Sequence, residues 1–403
     1  MLNMKSAPSQ AQDSLISKKV MGLPPSGIRK FFDLLSSMDD IISLGIGEPD
    51  FVTPWRIREA GTFSLEKGYT MYTSNSGMPA LRQELTKYLE LHYGITYHPE
   101  YELLITTGSS EGLDLALRAI INPGDEVIIP NPCYVAYAAD IILAGGMPVL
   151  VPTNEANNFV IRATDIEANI TQKTKAILIG YPANPTGAVM SREEANAIAA
   201  LVKKHELLVI SDELYARLIY GAQHICFPSL AGMKERTILL SGLSKSHAMT
   251  GWRLGYVAAE RHFIEALTKI HQYTMLSAPT MAQMAAIEAL KNGESEVERM
   301  VQEYNRRRRL MVKRLNEIGL PCFEPKGAFY AFPSIKDTGM HSEEFAEKLL
   351  LEEKVAVVPG NAFGPYGEGF VRCCYATSLS NIEEALKRMD RFVKGKVGSP
   401  QHK

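Results

Sequence analysis

At 403 residues the chain exceeds what one hydrophobic core ordinarily fills, so two domains are expected. Lys+Arg number 43 and Asp+Glu 45, a formal net charge of −2, which leaves no basic excess for a dedicated nucleic-acid binder. The composition, 46% hydrophobic and 22% charged, is that of a folded globular chain and excludes disorder.

Apolar runs such as 127–130 and 176–179 are strand-length and far short of a membrane span. The first thirty residues are polar and carry no export signal, so a soluble, cytoplasmic protein is expected. The five cysteines, Cys133, Cys226, Cys322, Cys373 and Cys374, show no CxxC spacing. They suggest neither a disulfide framework nor a metal site, and read as buried small hydrophobes in a reducing compartment.

In chain order, residues 1–19 read as a loose arm. A strand at 102–107 leads into a helix at 110–121, and strands follow at 126–130, 148–152 and 175–180. A helix at 193–204 precedes strands at 207–211 and 236–240. This alternation predicts crossover units and a mostly parallel sheet with helices on both faces. From 294 to about 318 the chain reads as one long charged helix carrying Arg306–Arg309. With no aromatic platform and many acidic neighbours, that basic run reads as a solvated or subunit-facing surface. Short strands at 328–332, 355–358 and 370–375 alternate with helices at 342–352 and 381–393. The domain boundary is placed at the long helix, giving 1–50 as arm and part of a small domain, 51–295 as the large domain and 296–403 as the small one. The segment 28–44 is expected to pack against the C-terminal part.

In an open α/β sheet, ligands bind at the carboxyl ends of strands, so the loops there are read first. Gly108-Ser109-Ser110-Glu111-Gly112 opens a helix, whose free N–H groups and dipole suit a phosphate. An N-cap serine explains it equally well. Tyr181 to Gly187 contains Pro182, Asn184 and Pro185, enough for a rigid turn alone. Asp212 ends a strand, with Tyr215 three residues on. Ser244 and Lys245 lie in a Ser/Gly loop after another strand, and a buried lysine there is costly unless it has a chemical role. Arg253 follows eight residues later. Singly, each has an ordinary structural explanation.

Together they resemble the fold-type I pyridoxal-phosphate enzymes, specifically the class I and II aminotransferases. The likeness runs through LGIGEPDF (44–51), 72–81, 108–112, PANPTG (182–187), SDELY (211–215), SKSHAMTGWRLG (244–255), GAFY (327–330) and 371–377. The spaced set Asn184, Asp212, Tyr215, Lys245, Arg253, Arg372 is its most specific part. The stretches SGIRKFFDL, VAVVPG and GEGFVR are similar to prokaryotic aromatic, alanine/aspartate and acetyl-diaminopimelate aminotransferases.

The resemblance implies an α/β fold: a large domain with a mostly parallel seven-stranded sheet sandwiched by helices, plus a smaller α+β domain. It implies pyridoxal 5′-phosphate held covalently by Lys245, which also moves the substrate proton. Asp212 would pair with the pyridine nitrogen, while Tyr215 and Asn184 would bond the ring's 3′ oxygen. Tyr134 would stack on the ring. Ser109, Ser110 and Arg253, with Ser244 as a weaker helper, would hold the phosphate. Tyr72 matches a tyrosine that reaches the phosphate of the neighbouring subunit, implying a homodimer with shared sites. Arg372 would grip the substrate α-carboxylate, Asn184 would assist, and Gly47 would let backbone approach it.

Three positions depart from dedicated aspartate enzymes. Gly242 stands where the family often has a phosphate-binding serine, Ser110 where some members have a lysine, and Tyr273 where others have a partner's arginine. No fixed cation therefore awaits an acidic side chain, which implies scope reaching to alanine or aromatic amino acids. The expected reaction moves an amino group between such an L-amino acid and a 2-oxo acid such as 2-oxoglutarate, by a ping-pong cycle. A carbon–sulfur β-lyase of the same fold is the alternative, since it shares the lysine, aspartate and both arginines. A transcriptional regulator built on this domain is not expected, because it would need an attached DNA-binding module and residues 1–40 are too short for a helix-turn-helix domain. The segment 28–32 is expected to serve as part of a lid.

Overall fold

The structure, a computed structural model, describes residues 15–23 and 40–397. The segment 28–32 and the stretch SGIRKFFDL lie outside the described residues. So do residues 1–14 of the expected arm; residues 15–23 carry a one-turn helix, Lys18–Met21, capped by Ser17.

Seven strands build the central sheet: β2 (Leu103–Thr106), β3 (Glu126–Asn131), β4 (Met147–Pro152), β5 (Thr174–Gly180), β6 (Leu208–Asp212), β7 (Thr237–Gly242) and β8 (Gly255–Ala258). Their order is β2-β8-β7-β6-β5-β3-β4. Only β8 runs against its neighbours; β3, β4, β5, β6 and β7 pair in parallel. Strands are continuous apolar runs, LLIT in the edge strand β2 and TILLSG in the inner strand β7, because helices cover both faces. One covering cluster joins Leu115 and Leu117 of the helix Gly108–Ile120 to Ile129, Leu178 and Ile210 of the sheet. On the other side Ile198 and Val202 of the helix Arg192–Lys204 meet Ile177 and Val209. That helix starts in a capping box in which Ser191 and Glu194 bond each other's backbone N–H.

The strands expected at 102–107, 126–130, 148–152, 175–180, 207–211 and 236–240 are all present within a residue or two. Strand β8 has no counterpart in the sequence reading, since its four residues GYVA are too short to stand out.

The C-terminal part is cut more finely than expected. The 328–332 strand shrinks to β9 (Tyr330–Ala331), and 370–375 to β12 (Val371–Cys374). The 355–358 strand splits into β10 (Val355–Ala356) and β11 (Val358–Pro359), which join different sheets. β11, β12 and β9 form an antiparallel trio, while β10 pairs in parallel with β1 (Ile42–Ser43). The described end of 28–44 thus packs on the C-terminal part through β1, and Leu44 is buried in the cluster built mainly from residues 300–393.

The long helix spans Glu294–Glu317. The solvated or subunit-facing surface expected for Arg306–Arg309 is corrected at two positions: Arg307 and Arg308 are buried, while Arg306 and Arg309 are exposed. They lie three and four residues from Tyr304, on the inward helix face with Met311. Arg307 bonds both oxygens of Asp50 at 2.8 and 2.9 Å, and Arg308 meets Glu324 at 2.7 Å. Among the described residues no helix is long and apolar enough to cross a membrane.

Candidate active site

The carboxyl ends of β2, β5, β6 and β7 open on one cavity of about 470 Å³. Lys245, Asp212, Tyr215, Asn184 and Arg372 line it. So do Ser109, Ser110, Ser244, Arg253, Tyr134 and Gly47. Residues from 47 to 372 in the chain thus meet because strand ends converge, and every predicted site residue except Tyr72 is among them. Tyr72 stands 82% exposed, on a surface that also exposes Met71 and Tyr69.

The helix at the phosphate-type loop begins at Gly108, two residues earlier than expected, so Ser109 and Ser110 occupy its first turn. Its first N–H groups have no partner within the helix. Gly108 has φ +78°, and a Cβ there would lie 2.6 Å from Arg253 Nη2. Only glycine lets the guanidinium come so close to the helix start. Arg253 itself is left-handed, φ +53°, and donates to the Thr250 carbonyl at 2.9 Å.

Lys245 Nζ donates to the Gly47 carbonyl at 2.7 Å. Burial lowers its pKa to about 8, helped by Arg372 and Arg253 and opposed by Cys374 and Glu48. Asp212 shifts the other way. Burial raises its carboxyl above the ordinary range, although hydrogen bonds from Tyr137 and from the Leu214 N–H hold it down in part. Tyr215 Oη and Tyr330 Oη are 2.7 Å apart, and burial raises both phenols. Burial likewise raises Tyr134.

Arg372 donates to Asn184 Oδ1 at 2.9 Å and to the Gly45 carbonyl at 2.6 Å. Its guanidinium lies 4.4 Å over the Tyr330 ring and 4.9 Å from that of Phe363. Its Nε is buried without a hydrogen-bond partner among the described residues. Lys245, Arg253 and Arg372 thus face one lining carboxylate, Asp212, and none of the three makes an ion pair among the described residues. Three cations held by neutral oxygens form a site for anionic ligands; Arg372 is buried, Lys245 part-buried and Arg253 exposed at the cavity, and burying Arg372 unpaired is otherwise unfavourable.

Comparison with known proteins settles the class. The family model for aminotransferase class I and II matches residues 39–389. The chain belongs to that family. This aminotransferase is 57% identical over 94% of its length to a Bacillus subtilis protein, YugH, provisionally named an aminotransferase, of which 98% is covered. It is 48% identical to an aspartate aminotransferase of Pyrococcus abyssi, over 92% of this chain and 96% of the relative. The crystal structure of an aromatic aminotransferase from Pyrococcus horikoshii superposes with TM-score 0.87 at 47% identity, covering 91% of this chain and 99% of that one. These likenesses make the chain a transaminase and do not favour the β-lyase alternative.

The sequence reading missed Tyr137 and Tyr330. Tyr137 follows Tyr134 by three residues in the helix Ala136–Ala144, which placed it on the cavity side. Tyr330 belongs to the GAFY stretch that was noted, and nothing in that stretch told of its bond to Tyr215.

Proposed function

We propose that this aminotransferase works as a homodimer with pyridoxal 5′-phosphate, moving an amino group between an L-amino acid and a 2-oxo acid such as 2-oxoglutarate in a ping-pong cycle. The donor would be of the aromatic, alanine or aspartate type; two of the relatives are named for aspartate and for aromatic amino acids. The observation that carries this reading is the charge pattern of the cavity: three cations without an ion pair among the described residues and one part-buried carboxylate of raised pKa. A phosphate, a carboxylate and a cationic ring nitrogen are the groups such a pattern accepts.

The residues fit the cofactor. Ser109, Ser110, Ser244 and Arg253 would hold its phosphate, joined by Tyr72 of the partner subunit, and Lys245 would carry it. Tyr134 would cover the ring, Asn184 and Tyr215 would bond its 3′ oxygen, and Asp212 would keep the ring nitrogen protonated. When bound, the cofactor supplies a sink for the electrons left as the substrate Cα gives up its proton.

The chain's own residues do the rest. Arg372 grips the α-carboxylate with Asn184 beside it, which fixes the Cα–H toward Lys245. Gly47 keeps backbone close to that carboxylate. Lys245, with its pKa lowered to about 8, takes the proton at Nζ and returns it. The exposed large apolar side chains Met71, Tyr72, Tyr273 and Met275 support dimerisation. The buried cluster built mainly from residues 300–393 with Leu44 supports a division into 51–295 as large domain and 296–403 plus part of 1–50 as small. Five buried free cysteines support a cytoplasmic setting.

The test is a half-reaction screen. Each of the common amino acids is added to cofactor-loaded protein without any oxo acid, and absorbance and 2-oxo acid are followed. Stoichiometric oxo-acid formation supports the reading, and the fastest donors name the substrate. Ammonia and pyruvate released over many turnovers would overturn it.

A further inference from the structure

The helix that opens the phosphate-type cradle carries a carboxylate in its first turn, Glu111, one residue after Ser110. A negative charge there competes with an anionic ligand for the positive end of the helix. Glu111 is 9% exposed, so water does little to screen it.

Its surroundings deal with that charge in two ways. Oε2 accepts the Thr107 N–H at 2.5 Å, so the side chain folds back over the turn entering the cradle. Oε1 lies 2.6 Å from Nδ1 of His271, which donates to it from the end of the helix Arg261–Thr274. His271 is fully buried, and its Nε2 has no partner among the described residues. Among the described residues the imidazole therefore has one polar contact, Glu111. A buried histidine spent on a single carboxylate 160 positions away needs a reason, and the cradle beside it supplies one.

We propose that Glu111 and His271 are a positioning pair that sets how tightly this aminotransferase holds a phosphate group. Glu111 fixes the turn at Thr107 and leaves the N–H groups of Ser109 and Ser110 to the ligand. His271 draws the carboxylate charge away from the cradle. Neither residue touches the ligand. The inference rests on the cofactor reading above.

The test compares binding of pyridoxal phosphate with that of pyridoxal, which lacks the phosphate, to unloaded protein by fluorescence quenching. Wild type is expected to prefer the phosphorylated form. Replacing His271 by leucine should lower that preference about tenfold, the loss expected when a charge-assisted hydrogen bond goes. His271→Gln, whose amide can still donate to Glu111, should retain most of it. Adding Glu111→Gln to His271→Leu should restore it, because the neutral amide no longer repels phosphate. Should His271→Leu fail to fold, Glu111→Gln alone decides, with a preference raised several-fold. An unchanged preference in these variants, or equal losses for both ligands, overturns the pairing role. A wild type with no preference for the phosphorylated form overturns the cofactor reading and this inference with it.

Discussion

Tyr137 Oη donates a 2.8 Å hydrogen bond to Asp212 Oδ2, joining the helix Ala136–Ala144 to the carboxyl end of β6. The bond favours the charged carboxylate that burial disfavours. Tyr137→Phe should therefore raise the Asp212 pKa further and weaken its hold on the ring nitrogen. A hydrogen bond to a charged group contributes about 1.5–3 kcal/mol, so kcat should fall roughly ten- to hundredfold. Steady-state kinetics across pH check this; unchanged kcat would remove Tyr137 from that role.

Asp212 also governs how the unloaded protein responds to pH. Its pKa is raised in the fold, so the folded chain binds the proton more tightly than the unfolded chain does. Its contribution to stability is therefore present below the ordinary carboxylate value and is lost as pH rises through the folded value. Unloaded Asp212→Asn should melt above wild type at pH 8, by about 2–4 °C for each kcal/mol relieved, with the gap closing in acid. Melting curves at pH 4 and pH 8 read it directly, and the same variant should be nearly inactive when loaded.

Lys245 gives a kinetic signature. Its amine becomes neutral near pH 8 instead of in the ordinary lysine range. Covalent capture of pyridoxal phosphate, trapped with borohydride, should speed up roughly tenfold from pH 7 to a plateau above pH 8. A rate still climbing at pH 10 would contradict the lowered pKa. Lys245→Ala should abolish both trapping and turnover.

Arg372 separates fork from charge. Arg372→Lys keeps the cation but loses the planar pair of donors that match a carboxylate. The expected result is a drop in kcat/KM of about tenfold to a hundredfold with KM raised, as the loss of one charge-assisted bond predicts. An equal kcat/KM would mean that the α-carboxylate sits elsewhere.

Gly47 tests the pair of tyrosines. A Cβ at Gly47 would lie 2.5 Å from Tyr330 Oη, so Gly47→Ala must push that ring off its bond with Tyr215. Overpacking of this kind costs about 1–3 kcal/mol, visible as lower stability and lower activity. Adding Tyr330→Phe removes the clashing oxygen and should recover part of the stability. No recovery would show that the ring carbons, 3.3 and 3.4 Å from that Cβ, still clash.

The legible parts of this fold were those written locally. The strands of the central sheet are apolar runs with turn residues after them, and the loops following β2, β5, β6 and β7 carry hydroxyls, amides and charges in a recognisable order. Partnerships set by the tertiary fold were not legible. Tyr215 and Tyr330 are 115 positions apart, and no local pattern announces that their hydroxyls meet. The run Arg306–Arg309 read as one solvated or subunit-facing surface because composition ignores helix phase, which turns Arg307 and Arg308 inward to Asp50 and Glu324. The 355–358 run was one apolar stretch in sequence, yet its halves pair with β1 and β12 on different sheets.

Gly45 and Gly47 lend their carbonyls to Arg372 and Lys245, the two cations with the most direct chemical tasks. Both side chains are thereby moored before any ligand arrives, in conformations that already point into the cavity. A carboxylate arriving at Arg372 then exchanges one oxygen for another and freezes little additional side-chain motion, so less of its binding free energy is lost to ordering. Because both moorings sit on a three-residue stretch next to β1, a small shift of that stretch would slacken the lysine and the arginine together. Readiness to bind the amino acid and readiness to move its proton are in this way two outcomes of one backbone position.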